Sequence, residues 1–429
     1  MLADLVKRLR RKHGKPVLGS GLVRAVGISS FLAVLGPGLL AGLSDDDPAG
    51  ITTYSIAGAR YGYELLWVLL ISVAALVIFH ELGARLGVVT GAGLVSLVRS
   101  SYGKRASIVV TSTLVVANLG TTAAEFAGIA ASLDLAGVSR SISVPIAALV
   151  VGALVLRGSF HRIEHILLLL STVFVTYIGA AILAHPDWGA AGRGLVVPHL
   201  PFSRTALVLV AGTVGTTLAP WGLAFIQSYA ADKKLSVKDL NYERVDVAAG
   251  AALTGIIGLF VVVACAATLH ATGHTEINDA RDAAVALKPL AGRLTSALFG
   301  AGLLGAALLA AALVPLSTAY SVSEAAGREA ALDDGFRDAP FFYVTFFGML
   351  AIGAGIVLIP GAPLVRILFL TQVLNAALLL PLLVAMRSLG RDERVLGEYR
   401  NRRGGDLLAL AALAIVSASI LALAAAAFL

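Results

Sequence analysis

The chain has 429 residues, of which 58% are hydrophobic and 14% charged, where a soluble domain carries about a quarter charged. With a mean hydropathy of +0.88, this excludes a soluble globular fold and describes a polytopic membrane protein. The net charge of +7 sits largely in loops, where it reports topology rather than a nucleic-acid partner, and the single cysteine, Cys265, excludes an intrachain disulfide.

In chain order, a basic N-terminus with Lys7, Arg8, Arg10, Arg11, Lys12 and Lys15 precedes the first apolar run. No small-residue cleavage site closes that run, so it reads as an uncleaved span rather than a signal peptide. Runs of spanning length follow at 28–57, 65–88, 107–133, 141–156, 163–184, 205–230, 247–271, 296–325, 341–359, 366–386 and 407–428. The predicted divisions are a basic cytoplasmic segment 1–27, helices 1–5 over 28–184, helices 6–10 over 205–386, and an eleventh helix over 407–428.

The first span carries Ser44-Asp45-Asp46-Asp47-Pro48-Ala49-Gly50 at its middle. Carboxylates inside a membrane-length apolar run are costly, and residues kept there are functional by default. Pro48 removes a helix hydrogen bond and Gly50 loosens the backbone, so a helix broken at mid-depth is expected, its freed carbonyls directed at a cation beside Asp47. Asp45 and Asp46 either attract or help hold the hydrated ion, or only solvate the break.

In the third span Glu125 stands in an apolar stretch beside Asn118 and Thr121. It belongs either to a proton or polar network or to an interhelical contact as a neutral acid. At the start of the fifth span, His161-Arg162-Ile163-Glu164-His165 fits the H-x-x-E-H pattern of a zinc peptidase. It lies in a short basic loop with no evident third ligand, which argues against a metalloprotease. The sixth span repeats the Pro-x-Gly of the first in Thr216-Thr217-Leu218-Ala219-Pro220-Trp221-Gly222. Interrupted helices at matching positions of two inverted halves point to a transporter's binding site. In the tenth span Gln372 and Asn375 could complete a water cage around the ion or simply bridge helices, and Gln227 is a weaker candidate.

The basic or mixed loops, namely the N-terminus, 99–105, 157–162, 233–244, 328–337 and 387–403, fall on one side. By the positive-inside rule the N-terminus is cytoplasmic and the C-terminus, after eleven spans, is outside.

The sequence also resembles the NRAMP family of divalent metal transporters. Gly36-Pro37-Gly38-Leu39-Leu40 and Asp47-Pro48-Ala49-Gly50 are similar to its G-P-G-L-L and D-P-G-N. Arg60-Tyr61-Gly62-Tyr63-Glu64-Leu65-Leu66-Trp67 is similar to R-F-G-Y-x-L-L-W, and Ala84-Arg85-Leu86-Gly87-Val88-Val89-Thr90-Gly91 to the end of the family's second helix. Ala124-Glu125, Gln372-Val373 and Pro381 follow in the family's order.

The resemblance implies an all-α, LeuT-like fold, with a five-plus-five inverted repeat, an eleventh helix, and helices 1 and 6 broken at the midplane. It implies a metal site at Asp47, Gly50, Thr216, Ala219 and Gln372, lined by Asp45, Asp46, Ala49, Trp221, Gly222 and Asn375. Three positions depart from the family. Gly50 stands where the family has Asn, Ala219 where it has Met, and Trp221 where it has His. This pattern is similar to the NRAMP-related magnesium transporters. A thioether favours transition metals, whereas Mg²⁺ takes oxygen ligands and keeps much of its water. A wider, oxygen-lined site for a partly hydrated ion is therefore expected.

The expected protein is a monomer in the inner (plasma) membrane, without cofactor or nucleic-acid partner. Its partners are the lipid bilayer and the divalent cation it imports, Mg²⁺ or also Mn²⁺, by alternating access with weak or no proton coupling. The alternatives are a proton-coupled Mn²⁺/Fe²⁺ transporter, and a channel or receptor on the same fold.

Overall fold

A computed structural model describes residues 37–156, 172–278, 280–288, 292, 295–328, 336–426 and 428. The basic N-terminus, Gly36 and the His161–His165 motif lie outside the described residues.

The described residues are almost wholly helical. The first predicted span is two helices, α1 (Pro37–Asp45) and α2 (Pro48–Tyr61), parted at residues 46 and 47. Then come α3 (Leu66–Thr90), α4 (Leu94–Asp134), α5 (Arg140–Leu156), α6 (Thr176–Leu183) and α7 (Trp188–Val196). The sixth span is α8 (Arg204–Thr217) and α9 (Pro220–Asp232), followed by α10 (Leu240–Thr268) and the short α11 (Ala280–Ala284). The chain continues through α12 (Thr295–Ala326), α13 (Pro340–Leu358), α14 (Leu364–Leu378), α15 (Leu380–Arg391), α16 (Glu393–Leu396) and α17 (Arg403–Ala425).

Among the described residues seven spans are long and apolar enough to cross a membrane, one of them the α8–α9 pair taken together, and the α14–α15 pair, bent by 43°, makes an eighth. The remaining predicted spans are the first, whose halves are 9 and 14 residues long, the fourth, whose helix is 17 residues, and the fifth, of which only the C-terminal part is described.

Two loop expectations are corrected. The basic segment 99–105 is not a loop of seven residues but a sharp break at Gly103 (φ 87°, ψ 175°) between the two helical stretches that make up α4, at a backbone angle where a side chain would be strained. The segment predicted to loop over 387–403 begins as helix, because α15 runs to Arg391.

Close backbone approach sets the packing around the first span. A Cβ on Gly38 would lie 2.5 Å from Val247 backbone, one on Gly42 2.5 Å from Gly250 backbone, and one on Gly58 2.4 Å from the Val262 carbonyl. Both halves of the broken span thus press on α10 through glycines, as membrane helices do at close crossings. Asp246 of α10 accepts from Gly38 N–H at 2.6 Å and satisfies a donor in the first turn of α1. Thr254 donates to the Gly42 carbonyl at 2.5 Å.

Candidate cation site

The break in the first span is held by its own aspartate. Asp47 is extended (φ −74°, ψ 171°), and its Oδ1 accepts from Gly50 N–H at 2.6 Å, an N-cap for α2 with Pro48 in the first turn. Asp45, Asp46 and Asp47 are 2%, 1% and 3% exposed.

The break in the sixth span has no side-chain cap, since its N-cap residue is Ala219. In a continuous helix the Thr216 carbonyl would accept from residue 220, which is Pro220 and has no N–H. That carbonyl is therefore released by the sequence itself.

The two breaks meet. A Cβ on Gly50 would sit 2.9 Å from the Asp45 carbonyl oxygen, 3.2 Å from Thr216 Oγ1 and 3.3 Å from Asp47 Oδ1. Tyr54 and Thr217 join the two spans by a 3.0 Å hydroxyl bond. From α4, Gly128 packs on the Pro48 ring, and one turn earlier the Glu125 carboxyl faces Asp47 without a well-formed hydrogen bond between them.

Burial without partners marks this place. Among the described residues, both carboxylate oxygens of Asp45, Asp46 and Glu125, Thr216 Oγ1 and Trp221 Nε1 are buried with no hydrogen-bond partner. Buried polar atoms are nearly always bonded, so a cluster of exceptions is a site for water or an ion. No three His, Cys, Asp or Glu side chains converge into a preformed metal cage among the described residues. Backbone carbonyls and water must then supply most of the ligands.

Of the residues expected at the site, Asp45, Asp46, Asp47, Ala49, Gly50, Thr216, Ala219, Trp221, Gly222 and Glu125 lie at or beside the two breaks. Trp221 is fully buried and begins an aromatic ladder along α9, its ring centroid 6.2 Å from Phe225, which stacks on Tyr229 at 4.8 Å. Ser317 donates to the Trp221 carbonyl at 2.9 Å.

The amides of the tenth span are occupied. Gln372 Oε1 accepts from Asn375 Nδ2 at 3.0 Å, and Asn375 Nδ2 also reaches Thr121 Oγ1 at 3.1 Å. They bridge α14 to α4, on the helix face that leads to Glu125. Gln227 donates to the Ala92 carbonyl at 3.1 Å and ties α9 to the turn before α4.

Two expectations change. Gly50 does not widen the site, because the space its missing side chain would take is filled by the Asp45 carbonyl. The sequence reading also omitted His80 of α3, 1% exposed, whose two ring nitrogens have no partner among the described residues. A lone histidine in an apolar helix leaves no periodic signal. Only its nearness to Gly222, whose Cβ would lie 3.7 Å from His80 Nε2, reveals it.

The family model for Nramp, natural resistance-associated macrophage protein-like, matches residues 38–426. The chain is 31% identical over 289 residues to the divalent metal cation transporter MntH of Chromohalobacter salexigens, an alignment covering 64% of this chain and just under two thirds (66%) of that protein. It is 29% identical over 408 residues to MntH of Granulibacter bethesdensis, covering 91% and 87%. In structure it resembles the Eremococcus coleocola manganese transporter, with a TM-score of 0.77 and 18% identity over 96% of this chain and 90% of that one. It also resembles Mhp1, a nucleobase-cation-symport-1 family transporter, with a TM-score of 0.55 and 16% identity over 92% and 93%. The almost wholly helical, LeuT-like fold is shared with these transporters.

Proposed function

The chain belongs to the Nramp family, and from that premise and the chemistry of the two breaks we propose that it carries divalent metal cations across the plasma membrane, Mg²⁺ foremost. The observation that carries the ion assignment is the donor set. At the meeting of the breaks the side-chain donors of Asp45, Asp46, Asp47, Glu125 and Thr216 are all oxygens. Ala219 and Gly50 supply neither a thioether nor an amide. Mg²⁺ takes oxygen ligands and holds on to its waters, and a site with few protein ligands suits it.

In this reading Asp47 supplies the charge next to the ion, the Thr216 carbonyl a backbone ligand, and Asp45 and Asp46 hold its water shell, which Gln372 joins only by giving up its bond from Asn375. The breaks give α1 and α9 freedom to move against the other helices and open the site to each side in turn. With the N-terminus cytoplasmic and the C-terminus outside, the membrane potential pulls the ion inward by roughly 4.6 kcal/mol per 100 mV for two charges. Trp221, where the family has His, cannot titrate, which supports weak or no proton coupling and leaves Glu125 and His80 as the titratable groups beside Asp45 and Asp47. We read the carrier as a monomer.

A second reading, Mn²⁺ as the main substrate, is favoured by the relatives' names. Uptake of Mg²⁺, Mn²⁺ and Ca²⁺ into proteoliposomes decides between them. Mg²⁺ entry that Mn²⁺ only partly displaces supports the proposal, and Mn²⁺ entry without Mg²⁺ entry overturns it in favour of the second reading.

A further inference from the structure

Beside Gly222, together with Asp45, lies His80, which no part of this cation path has yet used. A Cβ on Gly222 would be 3.3 Å from Asp45 Oδ1, 3.7 Å from His80 Nε2 and 3.9 Å from Asp45 Oδ2. Apart from the neighbouring turns of α9 itself, these are the nearest atoms to that point, so the carboxylate and the imidazole both border the space left by the missing side chain. They do not bond directly, for Asp45 and His80 are both without hydrogen-bond partners among the described residues, and each is at most 2% exposed.

The helix geometry that aims His80 here is firm. His80, Gly83 and Gly87 lie on one face of α3 by the 3.6-residue period. A Cβ on Gly83 would be 3.4 Å from the Leu223 carbonyl and one on Gly87 2.5 Å from the Gln227 carbonyl. This face is pressed along α9, and its first position meets α9 at Gly222. The plainer alternative is an imidazole used as apolar filling. Burying two unbonded ring nitrogens costs about 1–3 kcal/mol for each group, a cost that a leucine or phenylalanine in the same place would not carry.

We propose that Asp45 and His80 form a second cation station, beside the Asp47 site on the α1 side of the break, which takes divalent transition-metal ions through one carboxylate oxygen and one imidazole nitrogen. The inference rests on the reading of the chain as a cation carrier. Imidazole is a borderline ligand, and sites that include it favour metals later in the Mn²⁺, Fe²⁺, Co²⁺, Ni²⁺ order, whereas Mg²⁺ gains little from nitrogen. The remaining ligands are water and backbone oxygen, since no third acid, histidine or cysteine converges here among the described residues. The station restores, from a different helix, part of the transition-metal preference that Ala219 removes from the Asp47 site.

The test uses the full chain, purified and loaded with less than one equivalent of Mn²⁺, and reads the electron spin-echo modulation of the bound ion. The expected result is an imidazole ¹⁴N modulation in the wild type that is lost in His80→Gln, with the Mn²⁺ dissociation constant raised about tenfold and the Mn²⁺-to-Mg²⁺ affinity ratio lowered by a similar factor. Should His80→Gln fail to fold, Gly222→Ala sets a methyl group in the gap and gives the same loss. Bound Mn²⁺ without nitrogen modulation in the wild type, modulation that survives in the folded variants, or no Mn²⁺ binding at all overturns the station. Failure of the carrier reading is distinct from each of these: it is wild-type vesicles that take up neither Mg²⁺ nor Mn²⁺, whatever the spin-echo signal.

Discussion

At the first break the residue ahead of the proline is Asp47, which turns back to accept from Gly50 N–H at 2.6 Å. At the second it is Ala219, with no side chain able to turn back. One break therefore keeps a charge and uses part of it to finish a helix, while the other offers only the dipoles of unbonded carbonyls. The pairing teaches how a cation site is divided between inverted halves. In the proposed reading, the half that holds the charge fixes the ion, and the half without charge can close on it or leave it without moving a buried carboxylate.

The largest effect that would break this comparison comes from Asp47. Asp47→Asn keeps an oxygen for the cap but removes the charge, so Mg²⁺ uptake should fall at least a hundredfold, with thermal stability nearly unchanged. Asp47→Ala should in addition lose about 1 kcal/mol of stability with the cap. Uptake at the wild-type rate in folded Asp47→Asn would move the charge of the site elsewhere.

Next come the two positions where a soft or amide ligand could be restored. Gly50→Asn must push a Cβ against the Asp45 carbonyl, 2.9 Å away, and should cost about 1–3 kcal/mol by overpacking, read as a lowered melting temperature. Ala219→Met adds a thioether at the uncharged break. It should raise the affinity for Cd²⁺ over Mg²⁺ about tenfold, measured by competition, and an unchanged ratio would detach ion choice from the second break.

A third measurement follows internal pH with a dye while Mg²⁺ enters vesicles. The expected trace is flat. Acidification that follows the metal and disappears in Glu125→Gln would show that the carboxyl facing Asp47 carries protons. The smallest expected effect is that of Asp246→Asn, which weakens a charge-assisted bond to Gly38 N–H and should lower stability by about 1 kcal/mol with transport kept.

Both breaks were legible in the sequence because proline and glycine act locally, and Asp47 was legible because a carboxylate in an apolar run contradicts its surroundings. Glu125 was found for the same reason. His80 gives no such contradiction, being a single mildly polar residue in a helix, and its meaning depends on a glycine of another helix. Asp246 caps α1 from 208 positions away, a relation that no local pattern contains. The expected roominess at Gly50 failed because a missing side chain opens space only where the neighbouring backbone does not follow it inward. Here the Asp45 carbonyl did follow.

The glycine face between α1 and α10 has a mechanical consequence. Gly38 and Gly42 meet Val247 and Gly250 at backbone distance, and the Val247 side chain also lies against Gly38, so a slip of one helix along the other must carry that contact with it. Two hydrogen bonds also cross this seam, Gly38 N–H to Asp246 and Thr254 to the Gly42 carbonyl. Any slip of α1 along α10 must break both before the helix can move.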